Sequence, residues 1–437
     1  MKSKFIKSTL ILIIGGAITK LMAMVIKIFL TRSIGDNGIG LYMLIMPTFN
    51  LFITLSTMSL PTSISKVVSE GKRGKNVVLS LIPISIIYNI LLMIILILLA
   101  PYISNNLLKN PDTYLGIMGI AFTLPFICMS SILKGYFYGK ERMIPYVVSN
   151  NFEQIVRLIL IIFMIPKLLI YGIKFAVLGV VLINIFSELS SIIMLIIFLP
   201  NKKIKLFDLK LDKVIFKDIL NISLSATGSR FIGSISYFLE PIILTFILLR
   251  CGYNNNYITS EYGIIMGYVF PLLLLPSFFS MAISTSLLPV VSSSLARGRV
   301  DYTKNKLKQA IMISLGVGIL STTIFMLIPD MLLKFLYNTT SGIYYIRVTA
   351  PLFLIYYIQG PLTSYMQGAN MAKVAMLGTF WGAIIKNILL IILPIFMGIW
   401  GLIISSIINI FFVTIHHIYF VRKSFMNSKK DVKYLYM

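Results

Sequence analysis

Five basic residues lie inside long apolar segments of the sequence, where a charged side chain is costly to place. These residues are Lys20, Lys27, Arg157, Arg230 and Lys386. Moving a charged side chain into an apolar medium costs several kcal/mol of free energy unless the charge is paired or hydrated. Such residues therefore usually face a polar cavity and serve a function. Several cations around one water-filled cavity would recognise an anion. We therefore predict that these five side chains bind the substrate.

Three carboxylates occupy the same kind of segment: Glu153, Glu188 and Glu240. Each could bind a coupling proton or cation, or could neutralise one of the basic residues. Glu153 precedes Arg157 by one helical turn, so the two can form an ion pair within one helix. For Arg157 we keep both ligand binding and structural pairing open. For Glu153 we favour pairing, and for Glu188 and Glu240 we have no preference.

Other kinds of chemistry lack the residues that they need. The sequence has no Walker loop, no nucleophile elbow and no His/Cys set with metal-binding spacing. Two cysteines, Cys128 and Cys251, are too few for a disulfide framework or a cysteine-rich metal site. We therefore predict that the protein is not an enzyme, holds no cofactor and no metal, and does not hydrolyse ATP.

The elements that must position these residues are transmembrane helices. Of the 437 residues, 58% are apolar and 12% are charged, whereas an ordinary soluble domain has about 25% charged residues. Apolar runs of about 20 residues or more, long enough to cross the hydrocarbon core as helices, predict twelve spans. They lie near residues 8–30, 38–60, 77–100, 114–137, 144–166, 175–199, 219–249, 263–290, 307–329, 346–368, 373–396 and 401–421.

The distribution of Lys and Arg predicts the orientation of these spans. If the N-terminus lies inside, the inner segments carry 27 basic residues and the outer connections carry seven. This bias follows the positive-inside rule, and it places both termini in the cytoplasm of a bacterial cell. It also explains the net charge of +25 through contact with anionic lipids, so no nucleic-acid partner is needed.

Short similarities between the two halves of the sequence predict an internal repeat. Ser56–Pro61 resembles Ser284–Pro289 at an offset of 228 residues, and the run around Arg157 resembles the run around Lys386 at an offset of 229. We therefore predict an all-α protein with two six-helix bundles, residues 1–199 and 219–437, joined by a basic cytoplasmic linker at 200–218. Such parallel repeats are typical of transporters that bind their substrate between the halves.

The predicted depth of the cations agrees with such a site. Counted from the cytoplasmic ends of their helices, all of them except Lys27 lie about 17–20 Å deep, near or just beyond the middle of the membrane. Lys27 lies closer to the outer surface, which it could instead reach with its long side chain.

Two stretches of the sequence resemble a known family. Gly135–Pro145 reads Gly-Tyr-Phe-Tyr-Gly-Lys-Glu-Arg-Met-Ile-Pro, and Glu153-Gln-Ile-Val-Arg157 follows it. Both are similar to the stage V sporulation protein B family of the multidrug/oligosaccharidyl-lipid/polysaccharide superfamily, which also includes the MurJ-type lipid II flippases. The N-terminal run adds Lys20, Ile34-Gly35, Gly40-Leu-Tyr42, Pro47, Leu60-Pro61 and Ile64-Ser-Lys66.

The resemblance implies a flippase that moves an undecaprenyl-pyrophosphate-linked saccharide across the cytoplasmic membrane by alternating access. The implied cargo is the peptidoglycan precursor lipid II, with a role in the spore cortex. Lys20, Lys27, Arg157 and Arg230 would bind the diphosphate, and Lys386 would be the repeat counterpart of Arg157. The implied partners are membrane lipids and the lipid-linked glycan, with coupling to a monovalent cation gradient or to the membrane potential. Lipid II flippases carry two further C-terminal spans, so the path of the lipid tail stays open.

Three alternatives remain. The protein could flip another lipid-linked polysaccharide unit, or it could be a cation-coupled multidrug exporter, although export of organic cations would favour an acidic or aromatic cavity rather than a basic one. A membrane-embedded glycan ligase or polymerase would be expected to present catalytic residues in a large outer loop. No predicted outer loop is large.

Overall fold

The computed structural model describes residues 2–69, 74–199 and 213–434, and within these ranges the chain forms helices and no strands. This confirms the predicted all-α class. Among the described residues, ten helices are long and apolar enough to cross a membrane. Large apolar side chains such as Leu98, Phe163 and Phe396 are exposed, as expected where lipid is the solvent. The chain is therefore a multi-pass membrane protein.

The described residues divide into two compact units. The first contains residues 1–246 and 255–263, and the second contains residues 247–254 and 264–437. These units differ from the predicted bundles, because the helix Lys213–Arg250 belongs to the first unit up to Phe246. The two-bundle division therefore stays a prediction. Residues 200–212 of the predicted linker lie outside the described residues.

Among the described residues up to Arg250, six helices lie wholly in the first unit, and a seventh begins there and continues beyond Phe246. They are α1 (Lys2–Thr57), α2 (Leu60–Ser69), α3 (Gly74–Tyr102), α4 (Thr113–Gly139), α5 (Met143–Leu169), α6 (Ile173–Ile197) and α7 (Lys213–Arg250). A short helix, α8 (Asn255–Gly263), also belongs to this unit. A π-helical turn at Ile103–Leu107 follows α3.

Among the described residues, the second unit contains eight helices, four of which have 20 residues or more. They are α9 (Phe270–Leu274), α10 (Ser277–Ala296), α11 (Val300–Leu327), α12 (Pro329–Tyr337), α13 (Ile343–Phe353), α14 (Gln359–Gly368), α15 (Ala372–Met397) and α16 (Trp400–Tyr434). A π-helical turn at Ile264–Val269 leads into α9, and a 3₁₀ turn at Leu354–Ile358 joins α13 to α14.

Two of the predicted span boundaries differ in the structure. The first two predicted spans form one long helix, α1, which is interrupted at Gly35 by a φ of 66° that glycine adopts without a steric penalty. The predicted span at 263–290 is divided instead, because a turn before Ser277 separates α9 from α10. Pro276 lies in this turn and cannot donate the backbone hydrogen bond that would continue the helix.

Two glycines allow α2 to lie directly on α4. A methyl group added at Gly135 would lie 2.8 Å from the Cα of Pro61, and one at Gly139 would lie 2.7 Å from the carbonyl oxygen of Ser65. The glycines are four residues apart, so they form a small-residue stripe on one face of α4, as is common where membrane helices approach closely. This contact fixes the position of α2 and of its polar residues beside α4.

Substitution of Gly135 by Ala should therefore destabilise the protein. We expect a loss of about 1–3 kcal/mol in the free energy of unfolding, because the added methyl group must displace the backbone of α2. Denaturation of the purified protein in detergent measures this effect. Gly233→Ala in α7 is the control, since a Cβ there meets no atom within 4 Å. Equal stability of the two variants would contradict the proposed close contact.

Candidate functional site

Four charged side chains from three helices of the first unit form an ion-pair cluster: Lys134 of α4, Glu153 and Arg157 of α5, and Glu188 of α6. Lys134 Nζ donates a hydrogen bond to Glu153 Oε2 at 2.8 Å and lies 3.7 Å from Glu188 Oε2. Arg157 Nη2 donates to the other oxygen of Glu153, Oε1, at 2.9 Å. Two positive and two negative groups therefore balance each other within the apolar segment.

Two further hydrogen bonds hold the Arg157 side chain. Its Nη2 donates to Ser187 Oγ at 3.2 Å, and its Nη1 donates to Gln154 Oε1 at 3.4 Å. The pairing with Glu153 that the sequence left open is thus present, and Arg157 also bridges α5 to α6. Whether Arg157 binds the substrate as well stays a prediction.

The cluster is mostly shielded, so its charges depend on one another. The side chain of Lys134 is 16% exposed and that of Glu153 is 7% exposed. A buried ion pair adds little net stability, but loss of one partner leaves the other charge uncompensated at a cost of several kcal/mol. The cluster therefore joins the three helices, and removal of any one of its charges should destabilise the protein.

Lys134 also faces a polar cavity of about 390 Å³ in the first unit. The cavity is lined by Pro61, Thr62, Ser65, Lys134, Tyr138, Tyr146 and Arg230. Two cations and four hydroxyl groups face this space, and the described lining contains no carboxylate. Ammonium, guanidinium and hydroxyl groups all donate hydrogen bonds, so the arrangement suits an anion with several oxygen acceptors, such as a phosphate.

Three local features position this lining. A turn at Met58 and Ser59, both with positive φ, separates α1 from α2 and begins the helix that carries the Thr62 and Ser65 hydroxyls. The rings of Tyr138 at the end of α4 and Tyr146 at the start of α5 meet edge to face, with 5.8 Å between centroids. Arg230 is an exposed residue of α7 and contributes the second cation.

The structure brings only part of the predicted site together. Of the five predicted cations, Arg230 lines the cavity and Arg157 belongs to the adjoining cluster, as do Glu153 and Glu188. Lys20 is exposed on α1 and Lys27 is half-buried on the same helix, and neither is in the described cavity lining.

Two predicted site residues are not members of this cluster. Glu240 is buried on α7, where its Oε1 accepts a hydrogen bond from the hydroxyl of Tyr262 at 3.3 Å. Lys386 lies half-buried on α15 of the second unit. The predicted ring of cations around the two halves therefore stays a prediction.

Lys134 is a candidate site residue that the sequence interpretation missed. It is one of the 27 basic residues that the sequence analysis counts on the inner side, but it lies within α4 and is largely buried. Helix α4 continues to Gly139, which places Lys134 more than one turn before the end of the helix. The signal was present in Glu153 and Glu188, because two carboxylates in apolar segments require a nearby cation.

The chain is similar to proteins of known family. The family described as polysaccharide biosynthesis protein matches residues 5–295, and the MatE family matches residues 264–393. The chain is 34% identical to stage V sporulation protein B of Bacillus subtilis, over 99% of this chain and 86% of that protein. It is 22% identical to the lipid II flippase MurJ of the same organism, over 89% of this chain and 77% of that protein. These matches confirm the resemblance drawn from the sequence.

Solved structures show the same kind of helical fold. An inward-facing multidrug resistance MATE family transporter of the MOP superfamily aligns with a TM-score of 0.73 and 17% identity, over 94% of this chain and 96% of that one. A MOP superfamily transporter from Pyrococcus furiosus aligns with a TM-score of 0.61 and 14% identity, over 98% and 96% of the two chains. At such low identity, the likeness concerns the fold alone.

The ion-pair cluster predicts a specific pattern of stability changes. Lys134→Ala should lower the free energy of unfolding by about 3 kcal/mol, because Glu153 and Glu188 lose their shared cation. Glu188→Gln in the same chain should restore part of this loss by removing one of the two uncompensated charges. Denaturation in detergent of both single variants and the double variant measures the coupling. Strictly additive effects would show that Lys134 and Glu188 do not interact.

Proposed function

Because the chain belongs to the polysaccharide biosynthesis protein family, we propose that it is a flippase that carries an undecaprenyl-pyrophosphate-linked saccharide across the bacterial cytoplasmic membrane. The cargo is the peptidoglycan precursor lipid II, as the similarity to a lipid II flippase suggests. The similarity to stage V sporulation protein B supports a role in making the spore cortex.

The observation that carries this proposal is the cavity shared by Lys134 and Arg230. A diphosphate has several anionic oxygens, and each can accept hydrogen bonds from an ammonium, a guanidinium or a hydroxyl group. Arg230 is exposed and provides a planar donor for two oxygens of one phosphate. The hydroxyls of Thr62 and Ser65 supply further donors from α2.

Lys134 gives the site a means to respond to its ligand. Its ammonium group donates a hydrogen bond to Glu153, and a diphosphate would compete with that carboxylate for the same donor. Binding would then weaken the contact between α4 and α5. In an alternating-access cycle, such a change makes helix rearrangement depend on the presence of cargo.

We propose that the membrane potential drives transport, because the diphosphate of the cargo is negatively charged. With both termini in the cytoplasm, the cavity opens towards the cytoplasmic side, and a bound diphosphate moves outwards as an anion. An inside-negative membrane potential favours this movement by about 2.3 kcal/mol per charge and per 100 mV. Glu153, Glu188 and Glu240 are the carboxylates that could couple a monovalent cation to the cycle, and Lys20, Lys27, Arg157 and Lys386 complete the proposed substrate-binding set.

Two other cargoes remain as candidates. Another lipid-linked polysaccharide unit would use the same diphosphate site, because only its sugar differs. A multidrug cation is suggested by the MatE match at residues 264–393. An organic cation would meet Lys134 and Arg230 in the cavity described here, and like charges in a shielded space repel each other. The basic cavity therefore favours the lipid-linked anion.

Flipping of labelled lipid II in proteoliposomes tests this function. Arg230→Ala should slow flipping about tenfold or more, because one charge-assisted contact with the diphosphate is lost. Arg230→Lys keeps the charge but loses the planar donor, and we expect an intermediate rate. Lys140→Ala is the matched control, since Lys140 is exposed just beyond α4 and is not in the described lining.

Two results would count against the proposal. Equal flipping rates for the intact protein, Arg230→Ala and Lys140→Ala would remove the cavity from the mechanism. Export of an organic cation dye together with no flipping of any undecaprenyl-linked glycan would assign the protein to drug export instead.

A further inference from the structure

The first unit contains a second cavity, at the end opposite the basic one. It lies where the break in α1 meets the α3–α4 connection, the α5–α6 connection and α8, and its volume is about 720 Å³. Asp112 precedes α4 at this end and Lys134 lies near the other end of the same helix. The 22 residues between them correspond to about 33 Å along the helix axis. Under the predicted topology, this second cavity faces the outside of the cell.

The second cavity is rich in amide groups. Asn37, Asn110, Asn255 and Asn256 all line it, and Thr259 adds a hydroxyl. Each asparagine side chain can donate two hydrogen bonds and accept others through its carbonyl oxygen. A ligand that satisfies such a lining must itself both donate and accept hydrogen bonds at many positions.

The charge of this cavity is balanced. Asp112 and Lys174 are the charged residues in its described lining, and they carry opposite signs. A phosphate would find only one cation here, next to a carboxylate that repels it. The basic cavity, by contrast, offers two cations and no carboxylate in its described lining. The two ends of the first unit therefore suit ligands of different chemistry.

Two of the four asparagine side chains are fixed by hydrogen bonds within the protein, and the other two can bind a ligand. Asn110 Nδ2 donates to Thr259 Oγ1 at 3.0 Å, while Asn110 Oδ1 accepts from the backbone N–H of Asp112 at 3.2 Å. Asn255 Nδ2 donates to the carbonyl oxygen of Lys109 at 2.6 Å. Asn37 and Asn256 are exposed, and among the described residues their side chains have no hydrogen-bond partner. Two amides thus shape the cavity and two can bind a ligand.

We propose that this amide-lined cavity is a binding site for an uncharged saccharide. Sugar hydroxyl and acetamido groups donate and accept hydrogen bonds in the way that the lining requires. One head group cannot fill both cavities at once, because they are about 33 Å apart along α4. The source of the sugar rests on the proposed function: the cavity receives the glycan of the cargo after translocation, on the side of release.

Binding of a soluble disaccharide tests the site without any transport. The probe is N,N′-diacetylchitobiose, titrated by calorimetry into the full-length protein in lipid nanodiscs, so that no sugar-based detergent competes. The double variant Asn37→Ala/Asn256→Ala should bind about 10- to 30-fold more weakly, because two ligand hydrogen bonds are lost. Asn106→Ala is the control, since Asn106 is exposed at the same end and is not in the described lining.

The outcomes separate the site from the transport function. No binding by the intact protein, binding that the double variant leaves unchanged, or displacement of the disaccharide by pyrophosphate would overturn the saccharide site. Weaker binding together with slower lipid II flipping by the double variant would assign the site to the sugar of the cargo. Weaker binding with unchanged flipping would uphold the site and assign it to a free glycan. Disaccharide binding by a protein that flips no lipid-linked glycan would refute the proposed function and leave the saccharide site standing.

Discussion

A charge inside an apolar segment must be compensated, and this requirement organises the first unit. Glu153 and Glu188 place two acidic groups in such segments, and Lys134 supplies a nearby cation from α4 to both α5 and α6. Arg157 closes the arrangement by bridging Glu153 and Ser187. The cluster adds little net stability as a whole, but it fixes which faces of the three helices can meet, because any rotation would separate charges that are largely shielded.

Close backbone contact has a second role in building the site. The hydroxyls of α2 reach the cavity because Gly135 and Gly139 let that short helix lie directly on α4. Lys134 is the residue next to Gly135, so one segment of α4 both receives α2 and presents the cation. The motif that includes these glycines therefore has a structural reason for its spacing, in addition to any role of its tyrosines in the lining of the cavity.

Sequence patterns identified those features that depend on local spacing. Composition indicated a membrane fold, and the four-residue spacing of Glu153 and Arg157 predicted an ion pair that the structure contains. Features that depend on tertiary contact were harder to predict. Lys134 was counted with the cytoplasmic cations because it lies near the predicted end of its span, and its contacts with Glu153 and Glu188 come from two other helices. The sequence predicted two separate spans where the structure has the single long helix α1. Nothing in the sequence shows that Gly35 forms a kink within a helix rather than a loop between two helices.

Transport of a charged head group needs a site that binds it and then releases it, and the position of Lys134 bears on both steps. Its ammonium group belongs to a cavity lining and to an ion-pair cluster, so the proposed diphosphate and the carboxylate of Glu153 would share one donor. An anion that took this donor would leave two carboxylates less well compensated, and the cost would lower the affinity of the cavity for its ligand. A site with that property binds a diphosphate less tightly than two free cations would. Modest affinity is what a transporter requires, since a cargo held too firmly is never released.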